Sequence, residues 1–287
     1  MYVLSCPDFN LDFTLDCGQV FRWEKSGDWW TGIVQESLIK IKQNNDFSIT
    51  IDSDLPETFF HEYFRFDDNL NAILEDINKD NCIANSIKQY YGLRLIRQDP
   101  WECLISYMLA TASSIPTIKK RILNLCRIFG TEIEAGIFTF PYPEAIANAC
   151  ESELCECKLG FRTKRIKQAA ELVVNKQIDP YNLHKHEYHE AREKLMTIEG
   201  IGEKVADCIL LFSMDKLESF PVDTHIKQIV QQCYSNDEFI KKKSNYNKIA
   251  EWGRNYFGNY CGYAQEYLYM YNRFKDSYSI ANETQDF

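Results

Sequence analysis

The chain has 287 residues, 45% hydrophobic and 14% aromatic, which is apolar material for one large domain or two to three small packed ones. Its formal net charge of −10 argues against a protein that coats nucleic acid, although local charge decides whether a short stretch can bind. No run of about 18 apolar residues is present and Met1–Phe9 lacks a basic-then-apolar leader, so neither a membrane span nor a secretory signal is expected.

The first fifth reads as β. Leu11–Asp16, Val20–Trp23, Trp29–Val34, Leu38–Gln43 and Phe47–Ile51 are short and mostly aromatic or β-branched, separated by turn-formers such as Ser26-Gly27-Asp28 and Asn44-Asn45-Asp46. After Pro56 the period changes, and Thr58–Phe64, Leu70–Ile77 and Ile83–Tyr91 read as short amphipathic helices. Helical patterns continue to Phe274: Trp101–Ala110 behind Asp99-Pro100, Ile115–Phe129 ending at Gly130, Thr163–Asn175 after Gly160, and Tyr188–Met196 running into a glycine-bearing turn. The expected fold class is α+β, with an N-terminal antiparallel sheet unit over residues 1–80 packed on a helical body over 81–275. A polar tail, 276–287, follows. Lys241-Lys242-Lys243 reads as a solvated helix start. The eleven cysteines are expected to be reduced thiols of a soluble intracellular protein. No pair is spaced CxxC, and the nearest, Cys155 and Cys157, gives no support to a metal or redox site.

The chemistry concentrates in residues 195–230. A helix stops, Ile198-Glu199-Gly200-Ile201-Gly202 makes a tight turn, and an apolar helix begins near Glu203, a helix–hairpin–helix over about 187–214. Glycines at 200 and 202 permit positive φ and close approach of another chain. The N–H groups of the turn and of the next helix form an anion site suited to a phosphate. Lys204 lies in the first turn, where the helix dipole disfavours an ammonium, and a lysine is a nucleophile only when neutral. Nineteen positions on (223 − 204), Pro221-Val222-Asp223-Thr224-His225 starts another helix with Asp223 as its N-cap. The plain reading is an αα-hairpin, a solvated lysine and a capping aspartate, and a carboxylate can cap and still face a neighbouring site.

This ordered segment resembles the helix–hairpin–helix plus Gly/Pro-Asp motif of base-excision DNA glycosylases. Cys17-Gly18-Gln19-Val20-Phe21-Arg22-Trp23, Gln98-Asp99-Pro100-Trp101, Lys204-Val205-Ala206-Asp207-Cys208 and Gly262-Tyr263-Ala264-Gln265 with Tyr269 are similar to stretches of the 8-oxoguanine DNA glycosylases. The resemblance spans residues 4 to 274. It implies that Lys204 attacks the sugar C1′ and that Asp223 stabilises the positive charge developing there. The resulting Schiff base then permits strand cleavage by β-elimination. It implies further that the Gly18 carbonyl accepts the N7–H that distinguishes 8-oxoguanine, and that Cys208 and Tyr269 (usually Phe in the family) sandwich the flipped base. Phe212 would line the wall, Gln265 would read the Watson–Crick edge, and His225 would contact a phosphate. Each has a plainer role open to it: a turn glycine, core residues, a surface pair of Gln265 and Tyr269, a structural histidine.

The departures lie in Ala110-Thr111-Ala112-Ser113-Ser114-Ile115-Pro116-Thr117. The family's gap-filling Asn falls on Ala112, beside Ser113, and one cytosine-reading Arg falls on Thr117. The other is matched by Arg162, next to a stacking wedge at Phe161. One missing contact predicts relaxed preference for the base opposite the lesion. The partner implied is double-stranded DNA containing 8-oxoguanine, in the nucleoid or cytoplasm of a prokaryote or the nucleus of a eukaryote. No metal or cofactor is required, the four-cysteine cluster of the endonuclease III branch is absent, and a monomer suffices. A basic face is expected from Lys119-Lys120-Arg121, Arg162–Lys167 and Lys204. A non-catalytic helix–hairpin–helix module and a glycosylase for another damaged base remain the alternatives.

Overall fold

The computed structural model describes residues 1–45, 47–240 and 244–274. Asp46 of the expected turn, the Lys241-Lys242-Lys243 run and the tail 276–287 lie outside the described residues. Strands β1 (Tyr2–Ser5), β2 (Trp23–Ser26), β3 (Trp29–Val34), β4 (Ser37–Asn45) and β5 (Ser48–Asp52) form an antiparallel sheet of order β1-β5-β4-β3-β2. Period-two alternation decides its inner face: Trp30 pairs with Ile41 and Ile41 with Ile51, and all three are buried. That face packs on Phe60 and Phe64 at helix α2 (Glu57–Tyr63).

Two expected strands are corrected. Leu11–Asp16 is a helix, α1, because the Asn10 side chain accepts the Phe13 N–H at 2.9 Å and Leu11, Thr14 and Leu15 bury one helical face. Val20–Trp23 contributes only Trp23 to a strand. Gln19 is buried there and substitutes for ladder bonding. Its amide donates to the Thr14 and Arg94 carbonyls at 2.9 Å and accepts the Ile96 N–H at 2.8 Å. The stretch 17–22 is thereby fixed as an irregular segment.

The body is helical: α3 (Leu70–Ile77), α4 (Asn81–Gln89), α5 (Pro100–Ala110), α6 (Ile115–Phe129), a small hairpin of β6 (Glu132–Glu134) and β7 (Ile137–Phe138), α7 (Pro143–Ala147), α8 (Glu151–Glu156), α9 (Thr163–Val174), α10 (Tyr188–Met196), α11 (Glu203–Ser213), α12 (Thr224–Cys233), α13 (Tyr246–Phe257) and α14 (Cys261–Arg273). Helices α5 and α11 are buried along most of their length and pack on one another. A second hydrophobic core surrounds them. Among the described residues no helix is long and apolar enough to cross a membrane. The expectation of wholly reduced cysteines is corrected at one pair. Cys82 of α4 and Cys233 of α12 form a disulfide across a Cα–Cα distance of 6.4 Å. Tyr234 and Tyr256 both donate to Asp80, the N-cap of α4, and so bring the two helices together.

Candidate active site

Helices α11, α12 and α14 meet the irregular stretch 17–22 around a cavity of about 660 Å³. Gly18, Lys204, Cys208, Phe212, Asp223, His225, Gln265 and Tyr269 all line it, together with Ala112 and Ser113. Gly200, Gly202, Phe161, Arg162 and Thr117 lie outside this lining.

The hairpin supplies the lysine. Gly200 has φ +96°, and a Cβ there would stand 2.8 Å from Arg165 Cδ, so only glycine fits. Gly202 does not use the positive φ open to it. It is an extended N-cap for α11, exposed and with open space where a Cβ would be, which leaves the helix N-terminus approachable. Lys204 follows in the first turn, exposed, and among the described residues no hydrogen bond or ion pair engages it. Asp223 caps α12 as expected: its Oδ1 accepts the Ile226 N–H at 2.8 Å.

Sequence reasoning passed over what aims these groups. Asp207, three residues past Lys204 on α11, is completely buried. It accepts from Tyr188 Oη at 2.7 Å, Arg192 Nε at 2.9 Å and Tyr246 Oη, binding α10, α11 and α13 together. Burial was the signal a charged residue inside an apolar helical run could have given.

The far wall combines a glycine turn, a buried amide and aromatic rings. Gly18 has φ +99°, and a Cβ would meet Ile115 Cδ1 at 3.2 Å and Arg273 at 3.3 Å. Its neighbours' carbonyls are occupied: Cys17 accepts from Arg273 at 2.9 Å, and Gln19 from Gln98 at 2.7 Å and Tyr107 at 3.2 Å. Among the described residues no donor meets the Gly18 carbonyl. Gln265 is buried, and its Oε1 has no partner, a state that costs about 1–3 kcal/mol until a ligand satisfies it. Phe212 stacks on Tyr107 at 5.5 Å and 8°, while Tyr269 meets His225 edge-on at 5.3 Å. Burial pushes the Cys208 thiol up to about 12, with the Lys204 charge pulling the other way. It therefore presents a neutral sulfur face.

The opposite rim departs from expectation. Phe161 is 63% exposed, with the guanidiniums of Arg162 and Arg165 at 4.1 and 5.7 Å from its ring. Arg162 itself is turned inward, 3% exposed, donating to the Thr111 carbonyl and, at 3.0 Å, to Ser113 Oγ. Burial and the Arg121 and Arg165 charges lower its pKa. Arg121 also reaches Ser113 Oγ, at 2.5 Å. Thr117 is held by Ser114, hydroxyl to hydroxyl, at 2.9 Å. The basic face is smaller than its sequence promised, because Lys119 donates to the Trp23 carbonyl and Lys167 to that of Ala149.

Family models match residues 1–255 of the chain. Residues 1–104 match the model of the 8-oxoguanine DNA glycosylase N-terminal domain, and residues 105–255 match the HhH-GPD superfamily of base-excision DNA repair proteins. The N-glycosylase/DNA lyase OGG1 of Arabidopsis thaliana is 28% identical over 93% of this chain and 78% of its own. The solved structure of MBOgg1 with a low-affinity DNA ligand superposes with TM-score 0.89 at 35% identity, covering 96% of both chains. That of the Clostridium acetobutylicum 8-oxoguanine glycosylase/lyase, with double-stranded DNA containing cytosine opposite 8-oxoguanine, gives 0.87 at 30% identity over 96% and 99%. With both halves matched and the fold superposed nearly end to end, the chain belongs to the 8-oxoguanine DNA glycosylase family of the helix–hairpin–helix Gly/Pro-Asp superfamily.

Proposed function

We infer that the chain is a bifunctional DNA N-glycosylase and abasic-site lyase of base-excision repair, acting on 8-oxoguanine in duplex DNA. The observation that carries this reading is one cavity lined by Lys204, Asp223, an unengaged Gly18 carbonyl and the unpartnered Gln265 Oε1. Such a cavity needs a planar base bearing both donors and acceptors, delivered by flipping the nucleotide out of the stack. Its relatives' activities, and the solved complex of one of them with 8-oxoguanine DNA, supply the lesion.

In this mechanism the Lys204 amine attacks C1′ as the C1′–N9 bond breaks, and the base leaves with the electron pair and takes up a proton. Asp223 offsets the positive charge that develops on the sugar. The substituted nitrogen loses a proton to solvent, the C1′–O4′ bond breaks with O4′ taking up a proton, and the nitrogen lone pair closes the C1′=N imine. The imine acidifies C2′–H, and loss of that proton expels the 3′ phosphate oxygen. Hydrolysis of the imine returns Lys204. The hairpin N–H groups around Gly202 and His225 hold the backbone phosphates, and Phe161 wedges at the vacated position. With Thr117 in place of an arginine and Ala112 in place of a gap-filling side chain, preference for the opposite base is relaxed. The enzyme works where genomic DNA lies, in the nucleoid or the nucleus.

The test is a duplex with one 8-oxoguanine opposite cytosine, incubated with sodium borohydride and either wild type or Lys204→Gln. A covalent protein–DNA adduct from wild type alone is expected. Wild-type DNA binding without an adduct would defeat the Lys204 mechanism.

A further inference from the structure

Lys227 of α12 lines the same cavity, yet nothing in the reaction just described uses it. It lies one helical turn past Asp223, on the face shared with Thr224. Helical side chains lean toward the N-terminus, which carries Lys227 back over both neighbours, and all three line the cavity. Asp223 directs its Oδ1 to the Ile226 N–H at 2.8 Å. Among the described residues no hydrogen bond or ion pair holds the Lys227 ammonium.

The lining grades from buried to exposed in the order a flipped nucleotide needs. Gln265 is buried, Asp223 half-buried, and Lys204, Thr224 and Lys227 exposed. Base, sugar and phosphate fall in that sequence when the base enters first. Charge then gives Lys227 a task. The nucleotide brings a phosphodiester anion to a cavity already lined by the carboxyl groups of Asp223 and buried Glu266. The other basic residues lining it are committed. Lys204 attacks only as the free amine. Arg273 gives its Nη1 to the Asp16 and Cys17 carbonyls at 3.1 and 2.9 Å. His225 Nδ1 accepts from the Asn272 amide at 3.3 Å, which an imidazolium cannot do, so that ring meets a phosphate as a neutral donor. Among the described residues of the lining, Lys227 is the unengaged cation.

We propose that Lys227 is a substrate-anchoring residue: its ammonium pairs with a phosphodiester flanking the flipped nucleotide and holds C1′ within reach of Lys204 and Asp223. This rests on the base-excision reading above.

The experiment is equilibrium binding of wild type, Lys227→Ala and Lys227→Arg to duplexes carrying a non-cleavable abasic analogue. One duplex is unmodified, and two others carry a neutral methylphosphonate at the linkage 5′ or 3′ of the analogue. On the unmodified duplex Lys227→Ala should bind about tenfold more weakly, the low end for a charge-assisted contact at an exposed site. Its log–log salt dependence should be shallower by about one, and Lys227→Arg should recover most of both. On one methylphosphonate duplex wild type should fall to the level of Lys227→Ala, which loses nothing further there; that duplex identifies the linkage. An unchanged salt dependence in Lys227→Ala, or its full deficit persisting on both methylphosphonate duplexes, would overturn the proposal. Borohydride trapping of Lys227→Ala on a preformed abasic duplex at saturating protein should persist and serves as the folding control. Loss of trapping with binding intact would move Lys227 into the chemistry and equally overturn an anchoring role. If wild type shows neither trapping nor preference for the abasic analogue over undamaged DNA, the function itself fails, and this inference with it.

Discussion

Arg273 of α14 donates to the Cys17 carbonyl at 2.9 Å across 256 residues of sequence. It thereby ties the last helix of the body to the turn that presents Gly18. The same nitrogen reaches the Asp16 carbonyl at 3.1 Å, and the guanidinium lies over the Tyr269 ring at 5.9 Å. Both ends of the proposed base slot therefore depend on one side chain.

Arg273→Ala should loosen that slot without touching the lysine. Hydrogen bonds from charged donors contribute about 1.5–3 kcal/mol, and partial exposure puts these at the low end. Excision of 8-oxoguanine should fall about tenfold, while nicking of a preformed abasic site changes less than about threefold. Single-turnover assays on the two substrates measure the ratio. An equal fall in both would place Arg273 in the fold at large.

Much of this was legible beforehand. Gly200 to Asp223 is a local pattern in which turn, cap and lysine sit at fixed spacings, and strand Trp29–Val34 and helices Leu70–Ile77 and Ile115–Phe129 follow their periods to the residue. What stayed hidden depends on tertiary neighbours. Leu11–Asp16 alternates like a strand until Asn10 caps it. The Cys82–Cys233 pair joins residues 151 apart, which no spacing reveals. The inward turn of Arg162 toward Thr111 and Ser113 is a matter of packing that its position after Gly160-Phe161 does not reveal. Asp207 and Glu266 become conspicuous only once burial removes their water.

Asp207 should be worth several kcal/mol to the fold. Its carboxylate is wholly buried and holds Arg192, Tyr188 and Tyr246. Removing one partner of a buried ion pair costs about 3–5 kcal/mol. With about 2–4 °C of Tm per kcal/mol for a chain of this size, Asp207→Ala should melt roughly 10 °C lower. Asp207→Asn, which retains shape and some hydrogen bonding, should lose less. A calorimetric Tm within about 2 °C of wild type for Asp207→Ala would contradict this.

The opposite-base preference follows from the rim. Thr117 carries no guanidinium and is held by Ser114, and Arg162 donates to the Thr111 carbonyl and Ser113. Excision rates opposite C, A, G and T should therefore lie within about a hundredfold of one another, since a single good contact discriminates by about 1–3 kcal/mol. Arg162→Ala should flatten what preference remains. A preference for cytosine of about 1000-fold or more in wild type would show that both contacts are made by other means.

Ala112 sits at φ +50°, a left-handed conformation that costs a residue with a Cβ about 1–2 kcal/mol and that asparagine adopts more readily. It lines the mouth of the cavity and is exposed, where a longer polar side chain would occupy the space vacated by a flipped nucleotide. Ala112→Asn should therefore raise Tm by about 1–3 °C and tighten binding to lesion duplex about tenfold, roughly the yield of one or two new hydrogen bonds. Ala112→Gly separates the two effects, because glycine relieves the backbone and fills nothing. Equilibrium binding to a duplex carrying a non-cleavable abasic analogue should rank Asn above both Gly and Ala. If Gly tightens binding as much as Asn does, backbone relief is the whole effect, and position 112 does not fill the gap.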